Sequence, residues 1–256
     1  MLENILDSHA HYDSQRFDED RGEVLGKLFA QPICGIVNVG ADLESSRKSL
    51  ALADKYPQIY AAVGVHPHEA EGLPEDYLGI LTDLSKHPKA VAIGEIGLDY
   101  HYDFSPRPVQ KAVFEAQLIL AKELGMPVII HSREATQDVM ELLRRYRPKG
   151  VVHCFSGSAE TAREVVELGL YVGFTGAVTF KNANKLLAAV QAVPIDRLLL
   201  ETDCPYMAPV PYRGQRCDSS MIEKTAQRIA ELKGMEPQQV VDRARENTCR
   251  LFGIEV

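Results

Sequence analysis

Eight short runs of apolar and β-branched residues recur along the chain: NILDSH, ICGIVNVG, YAAVGVHP, AVAIGEIG, PVIIHS, VVHCFSG, LYVGFTG and RLLLETD. Apolar residues fill consecutive positions in each run. Both faces of such a segment must be buried, as in a parallel strand covered on either side. Parallel neighbours cannot be joined by a tight turn and need a crossover, usually a helix. Amphipathic stretches lie between the runs. One is predicted to start at Ser105 and Pro106, with Ser as N-cap and Pro at the first helical position. It carries Val109, Val113, Phe114, Leu120, Ala121 and Leu124 at helical spacing and stops at Gly125, ahead of Pro127. A second starts near Asp218 and stops at Gly234, and a last one starts near Pro237. Eight units over 256 residues give about 32 residues each, the size of a βα repeat in a (β/α)₈ TIM barrel. An open doubly wound sheet is the alternative, but it usually needs fewer strands, and no GxGxxG follows the first strand. No repeat, low-complexity segment or Gly/Ser-rich linker divides the chain. The expectation is one α/β domain over residues 1–256.

Charge and cysteine content narrow the function classes. Lys and Arg number 28 against 36 Asp and Glu, leaving a net charge of −8. That argues against a protein that coats nucleic acid by bulk charge alone. It leaves room for one that holds phosphates through bound cations. No apolar run reaches the roughly 18 residues that span a bilayer, so no membrane association is expected. The start MLENILDSHAH lacks the basic and apolar regions of a signal peptide. Cys34, Cys154, Cys204, Cys217 and Cys249 are odd in number and form no CxxC pair. Neither a disulfide framework nor a Cys-rich zinc site is expected, and the cytoplasm is the expected compartment.

In a (β/α)₈ barrel the chemistry sits at the C-terminal ends of the strands. Six of the eight histidines fall there: His9, His11, His66, His68, His131 and His153. If each end offers about three positions, the ends cover roughly a tenth of the chain, and random placement would put about one histidine in them. His9 and His11 are two apart on a strand and share a face, where two imidazoles can clamp a metal. Glu95 lies inside an apolar strand. An ionised, unpaired carboxylate there is costly, so it needs a cation, a basic partner or a shifted pKa. Its strand holds no Lys or Arg, which favours a metal. His131 and His153 each follow an apolar run and taken alone read as core histidines. Asp203 ends the run Leu198-Leu199-Leu200 and taken alone reads as a helix N-cap.

Together, four histidines and two carboxylates exceed the needs of one tetrahedral catalytic zinc. They suit two divalent ions roughly 4 Å apart, with Glu95 as the natural bridge. Phosphoester hydrolysis follows as the reaction class, with amide or ester hydrolysis as its competitor. Candidate phosphate donors are Arg213 first, then Arg216 and Arg133. Ser156, Gly157 and nearby backbone amides are further candidates, and Tyr206 is placed to stack on a base or sugar.

The segments DSHAHYD, GVHPH, GEIGLDY, HSRE, HCFSG and ETDCPYMAPVPYRG, in this order, resemble the TatD family of metal-dependent deoxyribonucleases over nearly the whole chain. The resemblance implies a (β/α)₈ barrel and a Mg²⁺- or Zn²⁺-dependent deoxyribonuclease, often a 3′→5′ exonuclease. The mixed His and carboxylate set also suits Mn²⁺ or Fe²⁺, and DNA ends, RNA ends and small nucleotide esters all stay open as substrates. It implies that His9, His11, Glu95 and Asp203 hold one ion and Glu95, His131 and His153 the second. Asp203 would position the attacking water or act as general base. His66 would contact the scissile phosphate, as would Arg213. Cys204 stands where many members have Ser and is expected to bring a thiol beside the metals. Tyr12 stands where Leu is common. The rival readings are an amidohydrolase or esterase acting on a small molecule, which the glutamate at position 95 weakens, and a non-catalytic metal-binding barrel.

Overall fold

The structure is a computed structural model, and it describes residues 2–30 and 32–256. Eight parallel strands form one sheet in chain order: β1 (Ile5–Ala10), β2 (Ile33–Val39), β3 (Ile59–Val63), β4 (Ala90–Asp99), β5 (Val128–Arg133), β6 (Gly150–Val152), β7 (Tyr171–Phe174) and β8 (Leu198–Leu200). All eight predicted runs are strands. The sheet closes on itself just past β8. Ala10 bridges Cys204 in parallel, the His11 amide donates to the Cys204 carbonyl (2.8 Å), and the Asp203 amide donates to the His9 carbonyl (2.9 Å). The fold is a (β/α)₈ TIM barrel, as expected.

Each strand is followed by a helix that returns the chain: α1 (Arg21–Phe29), α2 (Leu43–Lys55), α3 (Tyr77–Ser85), α4 (Arg107–Leu124), α5 (Thr136–Tyr146), α6 (Ala159–Glu167), α7 (Asn184–Ala192) and α8 (Ile222–Lys233), with α9 (Pro237–Phe252) added at the end. Gly125 and Gly234 end α4 and α8 in the left-handed conformation, where glycine carries no Cβ penalty. The start of α4 differs from expectation. Pro106 is its N-cap, and Ser105 is not a cap at all. The Ser105 hydroxyl donates to the His68 carbonyl (2.9 Å) and accepts from the Glu71 amide (3.0 Å), so it ties down the loop after β3.

The strand residues divide into two apolar clusters, one for each face. Val128, Ile130, Leu198 and Leu200 pack outward with Leu118, Val139, Leu143, Ile229 and Val241 of the helices. Val37, Val39, Ile129, Val151, Tyr171 and Leu199 fill the barrel interior, together with Leu251, Phe252 and Ile254 at the end of the chain. Strand side chains alternate, so residues two further along share the interior face. His131 follows Ile129, His153 follows Val151 and Glu201 follows Leu199. The polar layer therefore rests directly on an apolar plug at the C-terminal end of the barrel.

Candidate metal centre

His9 and His11 rise from β1 into the mouth of the barrel. The His11 ring is oriented by its Nδ1, which sits 2.8 Å from the Val39 carbonyl. A carbonyl can only accept, so Nδ1 carries the proton and Nε2 faces the site. Beneath them Asp7 is fully buried. It accepts from Thr202 (amide 3.0 Å, hydroxyl 2.6 Å) and from the Ser219 hydroxyl (2.7 Å), and burial still pushes its carboxyl up to about 6. Ser219 also pairs with the Tyr12 hydroxyl (2.8 Å), which gives Tyr12 a place in this buried network. Asp203 is held by the strand-closing bonds with φ of 58°, a costly backbone region for a non-glycine residue.

Glu95 stands at the centre, and its two oxygens face different partners. Oε2 lies 3.4 Å from His9 Nε2 and 3.5 Å from His11 Nε2. Oε1 lies 2.9 Å from His131 Nδ1, 2.7 Å from His153 Nε2 and 3.4 Å from His66 Nε2. Every ion-pair partner of Glu95 among the described residues is an imidazole, so a Lys or Arg partner is not how this strand carries its carboxylate. Burial opposes its charge, but His153 and His66 hold it well below the usual carboxylate range.

The donor geometry fits a cation. Ligands 2.0–2.1 Å from a tetrahedral ion are ~3.3–3.4 Å apart. Around His9, His11, Glu95 and Asp203, five such edges measure 3.0, 3.4, 3.5, 3.8 and 3.4 Å. On the other side, Glu95 Oε1, His131 Nδ1 and His153 Nε2 form a triangle with edges of 2.9, 2.7 and 3.3 Å. The donors overlap: His9, Glu95 and His153 lie close enough to form one group, His9, His11 and Asp203 a second, and His66, Glu95 and His131 a third. The buried Nδ1 atoms of His9 and His153 have no hydrogen-bond partner. The two rings instead stack face to face, 3.9 Å between centroids and 8° from parallel. Burial and the neighbouring His153 push His9 down to about 4. Burial also opposes charge on His11 and His131, but Asp203 and Glu95 push His11 up to about 10, and Asp99 with Glu95 push His131 up to about 9.

His66 lies on the rim of the second group. Its Nδ1 accepts from the His68 amide (3.1 Å), so the neutral ring keeps its proton on Nε2, the atom that faces Glu95. That tautomer donates through Nε2, and the same ring stands with Glu95 and His131 in a group that could hold an ion.

Three carboxylates that were not singled out as candidates support the centre. Asp99 Oδ2 receives His131 Nε2 (3.3 Å) and His68 Nε2 (2.8 Å). Glu201 is buried and accepts from the Cys154 amide and the Ser8 hydroxyl, with Oε1 3.8 Å from His153 Nδ1. Burial pushes it up to about 7. Asp7 is the third. The signal was present: Asp7 lies two before His9 and Glu201 two before Asp203, the same spacing that pairs His9 with His11.

The remaining candidates are more dispersed. Arg216 is paired with Asp20 (2.8 and 2.5 Å). Arg213 stacks over Phe180, 3.8 Å from its centroid, and donates to the Ala208 carbonyl. Arg133 lies over Tyr102 at 4.7 Å. Ser156 and Gly157 line a side cavity of about 190 Å³ with Ser132 and Phe155, and that wall contains none of the six predicted ligands. Tyr206 is exposed three residues after Asp203, with Arg16 over its ring at 5.7 Å. Cys204 corrects an expectation. Its thiol is buried in the apolar core and belongs to none of the donor groups, because the closing bridge to Ala10 turns it away from the mouth.

The chain matches the family described as TatD related DNase over residues 6–253. It is 44% identical over 253 residues to an uncharacterized metal-dependent hydrolase, YabD, of Bacillus subtilis, covering 98% of this chain and 99% of that one. It is 34% identical to the 3′-5′ ssDNA/RNA exonuclease TatD of Citrobacter rodentium, over 98% of each chain. Among solved structures, YJJV, a TatD homolog from Escherichia coli K12, superposes with a TM-score of 0.93 at 32% identity over the full length of both chains.

Proposed function

This chain belongs to the TatD related DNase family of metal-dependent hydrolases, and from that premise we propose that it is a two-metal nuclease that trims single-stranded DNA or RNA from the 3′ end. The observation that carries the two-metal reading is the division of Glu95, with Oε2 toward His9 and His11 and Oε1 toward His131 and His153. The nuclease reading draws on the relatives named as 3′-5′ ssDNA/RNA exonucleases. Bound divalent ions, Mg²⁺, Mn²⁺ or Zn²⁺, would supply Lewis acidity toward a phosphoryl oxygen and make water a competent nucleophile near neutral pH.

The side chains then have separate tasks. His9, His11, Asp203 and Glu95 would hold one ion, and Glu95, His131 and His153 would hold a second. Asp203, kept ionised by His11 and His9 against the cost of its burial, orients the water and takes its proton. His66 offers its Nε2 proton to the phosphate as negative charge builds there. Arg213, Ser156 and Tyr206 contact the strand beyond the scissile bond. A net charge of −8 leaves few long-range basic contacts, which suits recognition confined to a strand end.

Metal-stripped protein should leave 5′-labelled single-stranded DNA intact. Adding back Mg²⁺, Mn²⁺ or Zn²⁺ should produce a ladder that shortens from the 3′ end, absent in the Asp203→Ala protein. Intact DNA with folded, metal-loaded protein would overturn the nuclease reading and favour a small ester or amide substrate.

A further inference from the structure

Of the ten Tyr and eight Phe, those exposed among the described residues are Tyr102 (47%), Phe104 (65%) and Tyr206 (52%). Tyr102 and Phe104 occupy one loop and stack on each other in solvent, with centroids 5.2 Å apart and rings 25° from parallel. The exposed Arg133 side chain, at the end of β5, sets its guanidinium 4.7 Å from the Tyr102 ring. The Phe104 ring meets His68 edge to face at 4.8 Å.

This platform is fixed to the metal centre by one side chain. Asp99 Oδ1 accepts from the backbone amides of His101 (2.9 Å) and Tyr102 (3.0 Å), which sets the loop. Asp99 Oδ2 accepts from His131 and from His68. Two aromatic faces and a cation are thus held at a set position beside the cluster. Arg133 and the flanking imidazoles of His68 and His101 cover part of the pair, and Phe104, 65% exposed, presents the most open ring surface.

We propose that Tyr102 and Phe104, with Arg133, form a stacking site for an unpaired base of the nucleic-acid strand whose phosphodiester lies at the metal centre. An aromatic face accepts any base, and the guanidinium adds attraction for the adjoining phosphate. Bases within a duplex have their faces covered, so the site selects single strands. The inference deepens the nuclease reading and rests on it for the position of the scissile bond.

The test uses metal-loaded wild-type protein and oligo(dT) carrying 2-aminopurine at one of its last three 3′ positions, with phosphorothioate linkages there so that the strand persists. Fluorescence should be quenched on binding at one of these positions. The Tyr102→Ala/Phe104→Ala protein should lose that quench and bind about tenfold more weakly, while Phe104→Trp keeps it. Quenching that survives the double substitution, binding by anisotropy without quenching at any position, or no binding at all would each overturn the proposal. Cleavage of the unmodified strand is scored separately. A strand that stacks but is not cut refutes the nuclease and leaves the platform standing, and a strand cut without stacking does the reverse.

Discussion

Asp99 Oδ2 lies 3.3 Å from His131 Nε2, on the far side of the ring from Glu95, which meets Nδ1 at 2.9 Å. The imidazole is fixed between two carboxylates, one within the donor cluster and one behind it. Such a partner sets the ring's orientation and raises its basicity, and its loss typically costs 10–100-fold in metal affinity. The Asp99→Asn protein should therefore release its weaker-bound ion to a chelator at about 10–100-fold lower chelator activity, with unchanged secondary structure. Unaltered affinity would remove Asp99 from the centre.

The imidazole shifts set a pH dependence. In metal-stripped protein His11 is pushed up to about 10 and His131 up to about 9, from 6.5. A raised imidazole contributes its stability in full below the unfolded value and loses it as pH rises through the folded one. Metal-stripped protein should lose thermal stability between about pH 7 and pH 10 on this account. A cation must displace the same protons, so affinity should rise with pH over that window, with protons released on loading. Calorimetric titration of the metal in two buffers of different ionisation enthalpy reads that release directly. Identical heats in both would contradict the assignment. Activity should fall at acid pH for the same reason, and a profile flat to about pH 5 would count against it.

His66 and Asp203 should separate in their effects. On the proposed mechanism His66 donates its Nε2 proton to substrate, so His66→Ala should lower kcat about 10²–10³-fold while both ions remain by elemental analysis. Asp203→Asn should lower kcat about 10²–10⁴-fold and also weaken one ion. Loss of an ion from the His66→Ala protein would recast His66 as a ligand.

Gly173 leaves space for Glu201. A Cβ there would sit 2.3 Å from Glu201 Oε2, and Glu201 holds the Cys154 amide that follows His153. Overpacking of this kind costs about 1–3 kcal/mol, so Gly173→Ala should lower the urea midpoint with an unchanged slope. A midpoint equal to wild type would show that Glu201 moves freely.

The strands were legible because burial on both faces leaves consecutive apolar residues, which no exposed segment tolerates. All six predicted donors lie in the cluster, because a strand-end histidine or an intra-strand carboxylate carries its own chemical oddity. The supporting shell was less legible. Asp99 lies beyond an irregularity in the β4–β5 pairing between Ile93 and Ile96, where counting by twos loses its phase. The capping role assigned to Ser105 failed for a related reason: its partners, His68 and Glu71, are more than thirty residues away. The platform of Tyr102 and Phe104 also depends on tertiary placement, since exposure cannot be read from two aromatics in a loop.

The most direct test is a crystal of the protein soaked in Mn²⁺ and measured at the manganese edge. Two anomalous peaks should appear about 4 Å apart, one beside Glu95 Oε2 with His9, His11 and Asp203, the other beside Oε1 with His131 and His153. A single peak, with Glu95 bound through one oxygen only, would contradict the two-metal account.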